Sequence, residues 1–229
     1  MLIITDKKIL PQAKKKLGEF GELLLLETSN IVYPSISGHA DIFFCIAENK
    51  VIIAPNLPKQ YINILVKNNI SFKMGSLSLK KKYPFTAYYN ALVSDMHIIH
   101  NQSFSDISIM QTFPKKEYIH VNQGYTRCNL IHLKNNTFIT SDKGIQSVLI
   151  KKGFNCVYIN PKQIMLENCG NGFFGGCCGV FNNKLFINGS IKYLEESKEI
   201  IKLTQHCEID IIELSNKALT DIGSIYFVE

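Results

Sequence analysis

A histidine and an aspartate stand one residue apart in the segment SGHADIFFC, residues 37–45. A histidine can transfer protons near neutral pH, and a carboxylate beside it can hold a cation or orient the imidazole ring. His39 and Asp41 are therefore candidates for acid–base catalysis in an active site. The structural alternative is a histidine that caps backbone groups at the start of a buried strand, with the aspartate as its partner.

Two cysteines are candidate nucleophiles. Cys128 follows Arg127, whose positive charge is expected to lower the pKa of the thiol and so to favour the reactive thiolate. Cys177 is the rival, because the glycines of GGCCG allow close backbone approach and could donate N–H groups to an anion. For each cysteine the alternative is a small buried hydrophobic residue. Cys177 and Arg127 are also candidate substrate contacts.

Three further polar residues are candidate substrate contacts. Asp221 lies in LTDIGSI, just ahead of a strand-like run, where capping of a turn is its structural alternative. Asn168 and Asn171 lie in the glycine-rich segment NCGNGFFGG, residues 168–176. The chain has seven cysteines, an odd number without CxxC spacing, so we expect reduced thiols and no metal site.

Length and composition restrict the class of protein. With 229 residues, 46% of them hydrophobic and 19% charged, the chain can bury one large core, in one domain or two small ones. No apolar run approaches the roughly 20 residues that cross a bilayer, and the N-terminus lacks the basic region of a signal peptide, so a cytoplasmic protein is expected. The net charge of +6 comes mostly from lysines, which we interpret as solvated surface rather than as a nucleic-acid site.

The chain contains a repeated pattern. In five places a β-branched or aromatic run ends at small polar residues and leads into a helix-like stretch. The anchor isoleucines of these runs are 49, 46, 40 and 48 residues apart. The five anchors are Ile4, Ile53, Ile99, Ile139 and Ile187.

Each repeat predicts a strand, a turn, a second strand, a helix and a third strand. The first repeat lacks its first strand, and the matching run SIYFVE, residues 224–229, stands at the other end of the chain. Pairing of these two ends would close a ring and leave no exposed sheet edge. The predicted fold is therefore an α/β propeller of five ββαβ units in one domain, 1–229. Its approximate units are 219–229 with 1–29, 30–75, 84–122, 124–162 and 172–214. The alternative is an ordinary α/β protein whose alternating elements imitate a repeat.

In such a ring the residues ahead of each first strand face a common pocket near the axis. They include His39 with Asp41, the region from Tyr88 to Asn90, Arg127 with Cys128, the segment 168–178, and Asp221. The chemistry-bearing residues are thus expected at one level of the ring.

This ring, with GHAD ahead of an apolar strand, resembles the pentein superfamily of guanidine-modifying enzymes, which includes arginine and agmatine deiminases, dimethylarginine hydrolases and amidinotransferases. The family's Gly-His-x-Asp/Glu segment matches Gly38 to Asp41, and a nucleophilic cysteine follows two units later, where Cys128 stands. NQGYTRCN, GNGFFGGCCG and LTDIGSI are similar to an uncharacterised bacterial branch. Catalytic members usually carry the cysteine near the C-terminus after a GGSIHC-like segment, whereas this chain has DIGSIYF, with Tyr226 and Phe227 at those positions.

The resemblance implies a hydrolase or transferase acting on C–N bonds of guanidino or amidino compounds. Asp41 and Asp221 would hold the substrate cation, Cys128 would attack its carbon, and His39 would move protons, without a cofactor. Arg127 conflicts with a cationic substrate and leaves a neutral or anionic one open. The alternative function is a non-catalytic pentein-fold binding protein, either similar to the ribosome anti-association factor or a small-ligand sensor.

Overall fold

Five three-stranded sheets make up the computed structural model, which describes residues 1–229. In four of them the chain forms an antiparallel hairpin and then adds a parallel third strand after a helix. The strands are β1 Leu2–Asp6, β2 Glu22–Leu26, β3 Phe44–Ala47, β4 Lys50–Ile53, β5 Phe72–Met74, β6 Leu92–Val93, β7 His97–His100, β8 Glu117–His120, β9 Leu130–His132, β10 Thr137–Thr140, β11 Asn155–Tyr158, β12 Cys178–Phe181, β13 Lys184–Ile187, β14 Asp210–Glu213 and β15 Tyr226–Val228.

Each sheet is accompanied by one α-helix between its second and third strands, and two further helical turns precede β3 and β9. The helices are α1 Pro11–Gly18, α2 Ala40–Phe43, α3 Lys59–Lys67, α4 Ile107–Thr112, α5 Thr126–Asn129, α6 Lys143–Lys151 and α7 Ser197–His206. The longer helices bury one apolar face, as α6 does with Ile145 and Leu149. None of them combines the length and the hydrophobicity that crossing a membrane requires.

The C-terminal strand closes the ring. β15 pairs antiparallel with β1, with Val228 opposite Leu2 and Tyr226 opposite Ile4, and β1 pairs parallel with β2 on its other side. The fifth sheet therefore has the same strand arrangement as the other four, although its strands come from both ends of the chain. The predicted α/β propeller and its closure by the last strand are confirmed.

The hairpin turns follow from their residues. Type I′ turns need two consecutive residues with positive φ, a conformation that asparagine tolerates better than most residues. Asn182 and Asn183 join β12 to β13 with φ of 46° and 56°, and Glu48 and Asn49 join β3 to β4 with φ of 52° and 57°. These turns match the right-handed twist of the paired strands.

The polar residues that end the second strands do not all cap helices. Asp142 does so, because its side chain accepts a hydrogen bond from the Ile145 amide at the start of α6. Asp6 does not cap a helix: α1 begins only at Pro11, and the buried Asp6 carboxylate accepts a hydrogen bond from the Lys8 amide in the loop after β1. Asp6 is thereby free to face the next unit of the ring.

Candidate active site

A small cavity of about 30 Å³ lies at the end of the ring where the inner strands begin. Inner strands here means the first strand of each unit: β3, β6, β9, β12 and β15. His39, Cys128 and Asp221 all line this cavity, which we name the channel cavity. Its other walls are Tyr33, Ile36, Ile42, Tyr125, Leu166 and Phe173. The structure thus brings together side chains from three separate units.

Short helical turns place the reactive groups. α2 carries Asp41 directly before β3, and α5 carries Cys128 directly before β9. The Asp41 amide donates to the Gly223 carbonyl at 3.0 Å, which joins α2 to the loop ahead of β15. This bond fixes the position of Asp41 relative to the segment that carries Asp221.

Asp221 lies beside His39. The His39 Nδ1 atom is 3.9 Å from Asp221 Oδ1, and both side chains are almost fully buried. The two Asp221 oxygens accept from the Gly223 and Phe173 amides, each at 2.9 Å. Burial raises the pKa of Asp221 to about 6, although His39 and the two amides oppose that rise. Asp221 can therefore exchange a proton near neutral pH.

The Cys128 thiol is held by an asparagine. Asn90 Nδ2 donates to Cys128 Sγ at 3.0 Å and to the Asp41 carbonyl at 2.9 Å, while Asn90 Oδ1 accepts from the Cys128 amide at 3.1 Å. Burial raises the pKa of the Cys128 thiol well above its usual value, and the charges of Asp41 and Asp221 raise it further. The thiol is thus neutral at rest.

Arg127 does not activate this thiol. Its guanidinium donates to the Gly175 carbonyl at 3.0 Å and to the Cys178 carbonyl at 3.1 Å, and it lies 5.3 Å from the centre of the Tyr226 ring. The expectation of a lowered pKa for Cys128 is wrong, because burial and the charges of Asp41 and Asp221 raise it, and the Arg127 side chain does not line the channel cavity. Arg127 and Cys128 are adjacent in sequence, but the guanidinium of Arg127 does not contact the Cys128 thiol.

Two buried polar atoms at the site have no hydrogen-bond partner: His39 Nδ1 and Asp41 Oδ1. The second Asp41 oxygen accepts from the Ser224 hydroxyl at 2.5 Å, and Ser224 itself has a φ of 72°. Unpartnered buried polar atoms cost free energy and in native proteins mark functional positions. The site is therefore built to receive a group with hydrogen-bond donors.

Sequence reasoning missed Ser224 and Asp6 at this site, and it included Asn90 only in the region expected to face the pocket, without a role. Ser224 and Asn90 hold Asp41 and Cys128, and Asp6 lies against Gly38, next to His39. Asp6 is buried, its pKa is raised by that burial, and the charge of His39 lowers it in part. The available signal for Asn90 was its place just ahead of a first strand, whereas Asp6 resembles an ordinary cap.

The other candidates lie away from the cavity walls. Asn168 and Asn171 belong to the loop 166–172, and Asn171 Nδ2 donates to the Gly172 carbonyl. Cys177 is fully buried, with its Sγ 3.4 Å from the Phe173 carbonyl, and burial raises its pKa well above the usual value. None of the three lines the channel cavity, and Asp41 does not line it either: Asp41 is fully buried, close enough to Cys128 for its charge to raise the pKa of that thiol.

Replacement of Gly223 by alanine is expected to destabilise the protein by about 3 kcal/mol. Gly223 has a φ of +64°, and a Cβ there would stand 2.1 Å from the Cβ of His39. Both the backbone strain and the overlap oppose the change. Urea unfolding measures the effect, with Gly153→Ala as the control, because Gly153 has a φ of +81° and no atom near its Cβ position. Equal losses in both variants would contradict a crowding effect at His39.

Solved structures share this fold at low sequence identity. The DDAH of Pseudomonas aeruginosa, as a cysteine-to-serine mutant complexed with citrulline, matches with a TM-score of 0.54 and 10% identity, over 93% of this chain and 91% of that one. The agmatine deiminase of C. jejuni matches with a TM-score of 0.53 and 15% identity, over 95% and 78% of the two chains.

An amidinotransferase from Microseira wollei, of the saxitoxin biosynthetic pathway, matches with a TM-score of 0.54 and 10% identity, over 93% of this chain and 87% of that one. The resemblance to the pentein superfamily is thereby confirmed as a shared fold. A comparison with curated protein sequences finds no match. The chain belongs to the family described as "Family of unknown function (DUF6873)", whose model matches residues 4–226.

Proposed function

We propose that the channel cavity binds the cationic group of a guanidino or amidino compound and that Cys128 attacks its central carbon. The observation that carries this proposal is the pair of unpartnered buried atoms, His39 Nδ1 and Asp41 Oδ1, beside the Cys128 thiol. A planar cation with several N–H groups supplies what the Asp41 oxygen lacks, as arginine does for carboxylates.

Charge supports a cationic ligand. The charges of Asp41 and Asp221 both act on the Cys128 thiol, and Asp6 is close enough to His39 for their charges to interact. The Arg127 guanidinium, which could have offset them, bonds to carbonyl oxygens elsewhere. A buried site with several carboxylates and no paired lysine or arginine favours a ligand that brings positive charge.

The bound cation would also activate the nucleophile. Because the Asp41 and Asp221 charges raise the pKa of Cys128, a positive ligand between them would offset these charges and lower it. The thiol then loses its proton to a site carboxylate or to His39, and sulfur forms a bond to the guanidinium carbon. The carbon–nitrogen bond breaks as His39 donates a proton to the departing amine.

The covalent intermediate is an amidino group on the Cys128 sulfur. Water that gives a proton to His39 attacks the same carbon, the carbon–sulfur bond breaks, and the thiol is regenerated. An amine in place of water would give transfer of the amidino group to a second substrate. Both outcomes use the same residues, and no redox step is involved.

Access requires movement of the cavity wall. A volume of about 30 Å³ holds roughly two water molecules, less than a guanidino compound needs. Tyr33, Leu166 and Phe173 belong to connecting segments rather than to the sheets. We infer that these segments open to admit a ligand.

A second candidate function is ligand sensing without turnover. The small volume of the cavity and the high pKa of the Cys128 thiol favour it, since a binding protein needs neither room for a departing amine nor a thiolate. Such a protein would bind guanidino compounds and release them unchanged.

Alkylation by 2-chloroacetamidine tests the proposal. We expect this cationic reagent to modify Cys128 faster than Cys169, because the cavity concentrates an amidinium beside the buried thiol. Neutral iodoacetamide is expected to prefer Cys169, the exposed cysteine. Peptide mapping by mass spectrometry gives the ratio of the two modifications, and Cys128→Ser confirms the assignment. A preference for Cys169 with both reagents would contradict an amidine-binding cavity, whereas modification without turnover of guanidino compounds would favour the sensor.

A further inference from the structure

The opposite end of the ring holds a second and larger cavity, of about 420 Å³. It is lined where the inner strands end, by residues of β3, β6, β9, β12 and β15, and so it lies across the ring from the channel cavity, where those strands begin. We name it the far cavity. Its volume is within the range of sites that bind small molecules.

The Arg127 side chain reaches into the far cavity from α5. Arg127 is 7% exposed, so it is more than nine-tenths buried. Its partners are two carbonyl oxygens and the face of Tyr226, and no acidic side chain forms an ion pair with it. The Nε atom and the second N–H of each terminal nitrogen make no hydrogen bond within the protein.

A buried cation without a counter-charge is costly. The desolvation of a guanidinium is offset fully only when an anion pairs with it, and carbonyl dipoles offset only part of the cost. Arginine also presents its donors in a planar fork that fits a carboxylate. Arg127 in the far cavity therefore lacks the anion that such a position favours.

The walls and the rim restrict the ligand further. The walls are largely apolar, with Ile131, Val180 and Phe181 among them. Three acidic residues stand at the rim, where all are exposed: Glu48 lies 2.5 Å from Lys116, Asp95 lies 3.9 Å from His132, and Glu229 forms no ion pair. A ligand that fits has an anionic head for Arg127 and an apolar body for the walls.

We propose that the far cavity binds a small organic carboxylate, with its head group on the Arg127 guanidinium and its hydrocarbon part along the inner strands. This site is distinct from the channel cavity and does not depend on amidine chemistry. Because Arg127 and Cys128 are adjacent on α5, the two cavities share one structural element.

Calorimetric titration with hexanoate tests the proposal, and hexanol is the uncharged comparison. We expect hexanoate to bind at least about 10-fold more tightly than hexanol, because a hydrogen-bonded ion pair contributes more than a neutral contact. Arg127→Met is expected to remove this preference. Saturation transfer from hexanoate to the Tyr226 ring locates the ligand.

Two tryptophan variants give a second test, which does not require Arg127→Met to fold correctly. Ala47 lines the far cavity at the end of β3, and Val66 is 60% exposed on α3. Hexanoate binding is expected to be lost in Ala47→Trp and retained in Val66→Trp. No binding of hexanoate by the wild-type chain, equal binding of hexanol, or unchanged binding in Ala47→Trp would each overturn the proposal.

Discussion

Replacement of Asp41 by asparagine is expected to change the two alkylation rates of Cys128 in opposite directions. The rate with cationic 2-chloroacetamidine should fall by about 10- to 100-fold, because a charge-assisted hydrogen bond to the amidinium is lost. The rate with neutral iodoacetamide should rise, because the negative charge of Asp41 contributes to the high pKa of the Cys128 thiol. Mass spectrometry of the Cys128 peptide over time measures both rates.

Opposite changes in the two alkylation rates would distinguish the loss of the Asp41 charge from a change in structure. Asparagine has nearly the shape of aspartate and can still accept the hydrogen bond from Ser224. Asp142→Asn is the matched control, because Asp142 caps α6 outside the site and asparagine caps helices equally well. If Asp41→Asn slows both reagents to the same degree, the carboxylate does not act through its charge, and the proposed binding role fails.

The stability of the wild-type protein is expected to depend on the ionisation of Asp221. The folded pKa of about 6 exceeds the reference value of 3.8, so the folded state binds more protons than the unfolded state between these values. The contribution of Asp221 to the free energy of unfolding therefore falls as pH rises from about 4 to about 6. The loss is about 3 kcal/mol in total and stays constant at higher pH.

Urea unfolding of the wild type and of Asp221→Asn at pH 4, 5, 6 and 7 checks this expectation. The variant loses one acceptor for the Gly223 or Phe173 amide, which shifts its stability by a constant amount. Relative to the variant, the wild type should lose about 2.4 kcal/mol of this total between pH 4 and pH 7, because the unfolded carboxyl is already partly ionised at pH 4. A difference that does not change with pH would show that the Asp221 carboxyl ionises as freely in the folded protein as in the unfolded chain.

The penalty at Asp221 has a functional meaning. The ionised Asp221 carboxylate destabilises the empty protein, and a cation bound beside it would remove this free-energy cost. Relief of that cost would add to the free energy of ligand binding. The same holds for the unpartnered atoms of His39 and Asp41. A protein selected for stability alone would replace these groups with apolar ones.

Local patterns in the sequence determined the architecture. The spacing of the anchor isoleucines and the asparagine turns predicted the ββαβ unit, because strand pairing and turn geometry depend on residues close along the chain. Closure of the ring also followed, since an incomplete first unit and a spare last strand leave few alternatives. The position of His39 and Cys128 ahead of inner strands predicted that they share a cavity, and both line it.

Only the tertiary structure decided where long side chains end and which polar groups pair. Arg127 precedes Cys128 by one residue, yet Arg127 lines the far cavity and Cys128 lines the channel cavity. Asn90 and Ser224 hold the site through hydrogen bonds to residues 38 and 183 positions away. A side chain of Arg127's length can reach either face of the ring. Packing around it selects one face, and no local pattern encodes that choice.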